Sequence, residues 1–155
     1  MKTIRLETEV KAYAYDELSD EDRRLVDEAK RMTATSYAPY SRFHVGAAIL
    51  MADGSVATGS NQENAAYPSG TCAERTAAYH ASAVKPGVAM KKIAVAAWTG
   101  GRFQGRPISP CGACRQVLAE YEKLYGPIEV LLYGEECVYV LPSVASLLPL
   151  TFTEF

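Results

Sequence analysis

Hydrophobic and polar positions alternate with changing period along the chain, and each change marks an element. After a polar start, Ser19 followed by Asp22 is a helix-capping signal, and Leu25, Val26, Ala29 and Met32 recur at helical spacing. This helix is predicted to end near Tyr37-Ala38-Pro39, because the residue before a proline avoids the helical region. Segments 45–51 and 56–60 flank Asp53-Gly54 and predict a β-hairpin. Segment 71–83 reads as an alanine-rich helix whose small side chains let it lie close to a sheet. Segment 93–97 is a short continuous apolar run, the signature of a buried strand. Ser109-Pro110 places a capping residue before a proline at a helix start, and Val117, Leu118, Tyr121, Leu124 and Tyr125 continue on one face. Strands are predicted over 128–133 and 138–141, followed by a short last helix from Pro142-Ser143 and an apolar tail over 147–155. The expected fold is α/β: a three-layer α-β-α sandwich on a mixed sheet of about five strands, with the last two strands antiparallel.

Neither repeats nor a linker divide the 155 residues, so residues 1–155 are expected to form a single domain, with 1–18 a loosely attached N-terminal extension. A formal charge of −2 offers no footprint for a polyanion, and nucleic acid is not expected as the main partner. The N-terminus lacks the apolar stretch of a signal peptide, and no run approaches the roughly 18 apolar residues of a membrane span, so a cytoplasmic protein without a membrane partner is expected. In a reducing compartment four cysteines argue for metal or redox chemistry rather than disulfides, above all where Cys111 and Cys114 cluster.

Cys111-Gly112-Ala113-Cys114 spaces two thiols at i and i+3 on the first turn of a helix, where they share a face. The partial positive charge of a helix N-terminus stabilises thiolates there, and the same holds for Cys72 at the start of the preceding helix. Cys72 and Glu74 diverge by about 200° around a helix, so both reach one centre only if it lies off the helix end. A metal is therefore expected between two helix N-termini. Bland alternatives exist for each signal. A lone C-x-x-C could be a redox pair or two core cysteines, Thr71-x-x-Glu74 is a capping box, and Asn61 and Glu63 could be turn-forming residues. Cys137 could close a four-thiolate structural site, although its place beside a strand fits a small core residue better; His44 and His80 read as structural.

Five segments in one order change the balance. Pro39-Tyr40-Ser41-Arg42-Phe43-His44-Val45-Gly46-Ala47-Ala48, Asn61-Gln62-Glu63-Asn64-Ala65, Cys72-Ala73-Glu74-Arg75-Thr76-Ala77, Ser109-Pro110-Cys111-Gly112-Ala113-Cys114-Arg115-Gln116 and Leu147-Leu148-Pro149 resemble the motifs of the small, homotetrameric cytidine deaminases, over residues 25–152. The resemblance implies a Zn2+ ion held by Cys72, Cys111 and Cys114, with Glu74 as the proton carrier and not a ligand. It implies that Asn61 and Glu63 bond the ribose hydroxyls, that Phe43 packs on the pyrimidine, and that the Ala73 N–H meets the base carbonyl. Arg75 matches a residue that bonds the thiolates, and Tyr67 and Phe152 match contributions from other subunits of a homotetramer with shared sites. Zinc lowers the pKa of bound water to about 7; a glutamate off the metal can take that proton, pass it to the ring N3 and later protonate the departing amine.

The implied reaction is hydrolytic deamination of cytidine or deoxycytidine to uridine or deoxyuridine plus ammonia, a pyrimidine-salvage step. Polynucleotide editing is disfavoured: only Gly134-Glu135-Glu136-Cys137 separates the last two strands, enough for a hairpin and too short for a parallel crossover. The blasticidin S deaminases share the cysteine motifs but lack the Asn-x-Glu-Asn stretch, intact here at 61–64; a closed structural zinc module is the non-enzyme alternative. Residues 98–108 form a longer, more basic connection than the family pattern leads one to expect, and read as a flap or a subunit contact.

Overall fold

A computed structural model describes residues 1–154. Its elements are β1 (Lys11–Tyr13), α1 (Asp20–Met32), β2 (His44–Met51), β3 (Val56–Ser60), α2 (Ala73–Val84), β4 (Met90–Thr99), β5 (Arg102–Phe103), α3 (Gly112–Tyr125), β6 (Glu129–Tyr133) and β7 (Val138–Leu141). The seven strands form one sheet in the order β1-β7-β6-β4-β2-β3, with β5 folded back on β4. Among the strands of the described residues only β4 and β6 pair in parallel; the chain between them runs through α3, as a crossover requires, whereas β6 and β7 form the expected antiparallel hairpin.

Side-chain alternation along the central strands assigns one face to each helical layer. Ala48, Ala94, Ala96 and Leu131 meet Leu25, Val26 and Ala29 of α1, while Ala47, Ile49, Ile93 and Val95 face α2 and α3. Two glycines set how closely helix and sheet approach. A Cβ on Gly46 would lie 2.1 Å from the Ala29 carbonyl oxygen of α1, and one on Gly59 would lie 2.4 Å from the Ala77 nitrogen of α2. The small residues of α2 therefore do bring its backbone down onto the sheet.

Four local expectations are corrected. The first α-helix stops at Met32 and tightens into a 3-10 turn over Thr33–Thr35, where the Thr33 and Thr35 hydroxyls bond the Lys30 and Met32 carbonyls. The second helix starts after Cys72, not Thr71, so the capping box with Glu74 does not form. The third starts after Cys111, two residues beyond Ser109-Pro110. The N-terminal segment is tied in: β1 pairs with β7, Leu18 is buried, and the Tyr15 ring packs edge-on against Tyr133.

Residues 98–108 are a pinned hairpin. Phe103 packs edge-on against Tyr133, the Lys30 ammonium lies over the rings of Tyr15, Phe103 and Tyr133, and Gln104 and Gly105 accept backbone hydrogen bonds from Glu135 and Glu136. Among the described residues no helix is long and apolar enough to cross a membrane.

Candidate active site

Cys72 and Cys111 are the N-cap residues of α2 and α3, both in extended backbone with their carbonyls accepting the first helical bonds, from Thr76 and Arg115. Neither side chain caps its helix. Both thiols are thus free to point off the helix ends, which resolves the angular divergence of Cys72 from Glu74. Cys111 Sγ lies 3.8 Å from Cys72 Sγ and 3.5 Å from Cys114 Sγ, and all three sulfurs fall within 4.8 Å of one another. Cys137, His44 and His80 are not in this group: His44 Nδ1 meets the Ser36 hydroxyl and His80 Nδ1 the Thr58 carbonyl.

The electrostatics favour charge on sulfur at this point. A hydrogen bond from Cys114 holds the Cys72 thiol well below the ordinary thiol range, with help from Arg75 and Cys111 against the effect of burial. Cys114, which donates to Cys72 and is itself buried, is pushed up. Arg75 Nη2 reaches Cys72 Sγ at 3.9 Å, and its buried Nε has no hydrogen-bond partner, which places a guanidinium against the Cys72 sulfur. The donor set fits zinc. Tetrahedral zinc–thiolate bonds of about 2.3 Å would put sulfurs about 3.8 Å apart, and the two sulfur separations of 3.5 and 3.8 Å bracket the need closely.

A cavity of about 630 Å³ opens beside the thiols, with Cys72, Cys111, Glu74 and Arg75 on its wall. Glu74 is 4% exposed; burial raises its carboxyl pKa, and the negative charge of Cys72 raises it further. Across the cavity stand Phe43, Asn61, Glu63 and Tyr67. Ala73 is buried between Cys72 and Glu74 as the first residue of α2, so its N–H is one of those the helix leaves without an intrahelical partner.

The two residues matched to contributions from other subunits lie apart within the chain. Tyr67, matched to a contribution from another subunit, lines the cavity of its own chain, edge-on to Tyr40 at 6.1 Å. Phe152 does not line this cavity; its carbonyl accepts from Gln116 on α3 at 2.7 Å and the residue is 66% exposed. Ile108, Ser109 and Ser41 also line the site, a place that the sequence did not assign to them. Ile108 ends the pinned 98–108 hairpin, and only the three-dimensional path of that hairpin reveals its place.

Three thiols from the starts of two helices, a buried carboxylate and a cavity of about 630 Å³ thus share one place, an arrangement that could hold a metal ion. The profile described as the cytidine and deoxycytidylate deaminase zinc-binding region matches residues 19–125. A cytidine deaminase from Sporosarcina psychrophila is 44% identical over 132 residues, 84% of this chain and 90% of that one. A probable cytidine deaminase from Dictyostelium discoideum is 37% identical over 136 residues, 87% and 86% of the two chains. The crystal structure of cytidine deaminase from Burkholderia pseudomallei superposes with a TM-score of 0.70 at 44% identity, covering 83% of this chain and 97% of that one. That of the Mycobacterium tuberculosis enzyme gives 0.67 at 31% identity, covering 88% and 99%. The chain belongs to the cytidine and deoxycytidylate deaminase family.

Proposed function

We propose that the protein is a zinc-dependent cytidine deaminase, converting cytidine or deoxycytidine and water to uridine or deoxyuridine and ammonia. The observation that carries this reading is the convergence of three thiols from two helix N-termini beside a buried glutamate that is outside the thiol group. Cys72, Cys111 and Cys114 would hold the zinc, which when bound supplies Lewis acidity that makes water a nucleophile near neutral pH.

The chain's own residues account for the proton movements and for placing the substrate. Glu74, with its proton affinity raised by burial, takes a proton from the attacking water and delivers it to N3 of the pyrimidine. Addition at C4 gives a tetrahedral carbon bearing a hydroxyl; Glu74 then takes the proton of that hydroxyl and passes it to the amino group, so that the C4 carbonyl forms as the C–N bond breaks and ammonia leaves. The Ala73 N–H meets the base carbonyl oxygen, Phe43 packs on the ring, and Asn61 and Glu63 meet sugar hydroxyls. Arg75 offsets the charge gathered on the thiolates. The antiparallel β6–β7 pair supports a free nucleoside over a polynucleotide, and the intact 61–64 stretch supports cytidine over a nucleoside antibiotic such as blasticidin S. Cys137, outside the thiol group, leaves a closed four-thiolate module without its fourth ligand.

The reading extends to a cytoplasmic homotetramer working in pyrimidine salvage, in which the tail bearing Phe152 reaches a neighbouring subunit's cavity. Support comes from the family motifs and from the exposure of Phe152. The functional test is ammonia release from cytidine, abolished by chelation and restored by zinc.

A further inference from the structure

Asn61 and Glu63 are read above as the groups that meet the sugar, yet both are bonded to the backbone of the segment that carries Phe43. The Asn61 amide spans that segment, donating from Nδ2 to the Phe43 carbonyl at 2.9 Å and accepting from the Val45 N–H at 2.8 Å. Its backbone N–H donates to the Val45 carbonyl at 3.1 Å. Glu63 Oε2 accepts from the Tyr40 N–H at 2.9 Å and the Ser41 N–H at 3.2 Å, while the Glu63 N–H donates to the Tyr37 carbonyl at 2.8 Å.

Between these two anchor points the backbone is strained. Arg42 lies at φ +55°, the left-handed region that a non-glycine residue keeps only where its surroundings over-determine it. The Arg42 N–H bonds the Ala38 carbonyl at 3.0 Å, the Thr99 hydroxyl bonds the Arg42 carbonyl at 2.9 Å, and the Phe43 N–H bonds Ser41 Oγ at 3.0 Å. Asn61 and Glu63 supply four of the bonds that fix this path, and two of them end on a carboxylate, the stronger kind.

We infer that Asn61 and Glu63 are positioning residues for residues 38–45, clamping the strained loop that presents Phe43 to the cavity, and that this role is separate from contact with the sugar. The two roles are compatible. A side-chain amide has two donor hydrogens and two acceptor lone pairs, and a carboxylate has about four acceptor sites, so each keeps capacity for a hydroxyl. The inference rests on the proposed nucleoside reading for what Phe43 packs against, while the clamp itself does not depend on it.

The test has two arms on the zinc-loaded protein, with Glu63→Ala, Glu63→Gln and Asn61→Ala. In the first, amide hydrogen exchange is followed without nucleoside. The clamp predicts at least a tenfold loss of protection at Tyr40 and Ser41 in Glu63→Ala, and at Val45 in Asn61→Ala. Glu63→Gln, which keeps an acceptor oxygen, should recover part of the loss at Tyr40 and Ser41. In the second, the inhibition constant of 2′,3′-dideoxycytidine against cytidine deamination is measured. This nucleoside lacks the 2′- and 3′-hydroxyls and keeps the 5′-hydroxyl, so a residue that reads only the 2′- and 3′-hydroxyls leaves its constant unchanged, whereas the clamp predicts a rise of at least fivefold in both alanine variants. Unchanged protection overturns the inference, and so does an unchanged constant for the dideoxynucleoside alongside weakened cytidine binding. A parent protein that deaminates nothing counts against the functional reading and leaves the exchange arm to decide the clamp.

Discussion

Glu74 combines two properties that the structure separates from its neighbours: it is 4% exposed, and it stands outside the group of three sulfurs. With the capping box unformed, its carboxylate has no helix-capping role to explain it. Replacing it with glutamine keeps the shape and removes the group that can accept a proton and give it back. Glu74→Gln should therefore retain zinc, measured by atomic absorption, and lose turnover by a factor of about 10²–10⁴, the range typical of a general acid–base group. Loss of the metal in this variant would move Glu74 into the ligand set and undo the assignment.

At the scale of elements, the site depends on where α2 lies. Its backbone rests on Gly59, where a Cβ would meet Ala77 N at 2.4 Å, Ala73 O at 2.8 Å and the Thr76 carbonyl carbon at 2.9 Å, all of them backbone atoms that cannot rotate away. Gly59→Ala must push the start of α2, and with it Cys72 and Glu74, off the sheet. We expect a loss of about 1–3 kcal/mol in denaturant unfolding together with a drop in kcat; unchanged values would show that α2 has slack. A second element, the N-terminal strap, is held by Tyr15, whose hydroxyl donates to Asp27 at 2.6 Å. Burial, then that hydrogen bond, raises the Tyr15 pKa from 10.0 to about 12. Because the folded value lies above the unfolded one, the stabilisation is complete below pH 10 and is lost as pH rises toward 12. The stability advantage of the parent over Tyr15→Phe should shrink across that window in thermal melts, and a constant difference would contradict it.

These elements also show how far the sequence could be read. The thiols and Glu74 were legible because their spacing is local and a helix start makes it chemical. The β2–β3 hairpin and the antiparallel β6–β7 pair were legible because short connections leave one option. Strand β1 was hidden: three residues, Lys11–Tyr13, carry too little alternation to be seen, and their partners at Val138, Tyr139 and Val140 are far along the chain. The helix starts at Cys72 and Cys111 were hidden behind better capping residues one and two positions earlier. Tyr67 and Ile108 reach the cavity, and Asn61 and Glu63 reach the 38–45 loop, through tertiary approach that no periodicity encodes.

For the whole molecule, the tail bears on assembly. Arg115 bonds both the Pro110 carbonyl, next to Cys111, and the Leu147 carbonyl at the head of the tail, at 2.8 and 2.6 Å, so the tail is joined to the thiol-bearing loop while Leu150 and Phe152 stay exposed. If these apolar residues complete a neighbour's cavity, truncation after Pro149 should lower activity and tetramer content together in size-exclusion runs, with zinc retained. A fully active monomer would refute the shared-site arrangement. Ammonia release from a cytosine nucleoside is the most direct measure of the chemistry assigned to Glu74 and the three thiols. Zinc-loaded protein should release ammonia from cytidine, deoxycytidine or both, and stop on chelation, with cytosine, CMP and blasticidin S much poorer. Release from blasticidin S alone, or from no cytosine nucleoside while zinc remains bound, would contradict it.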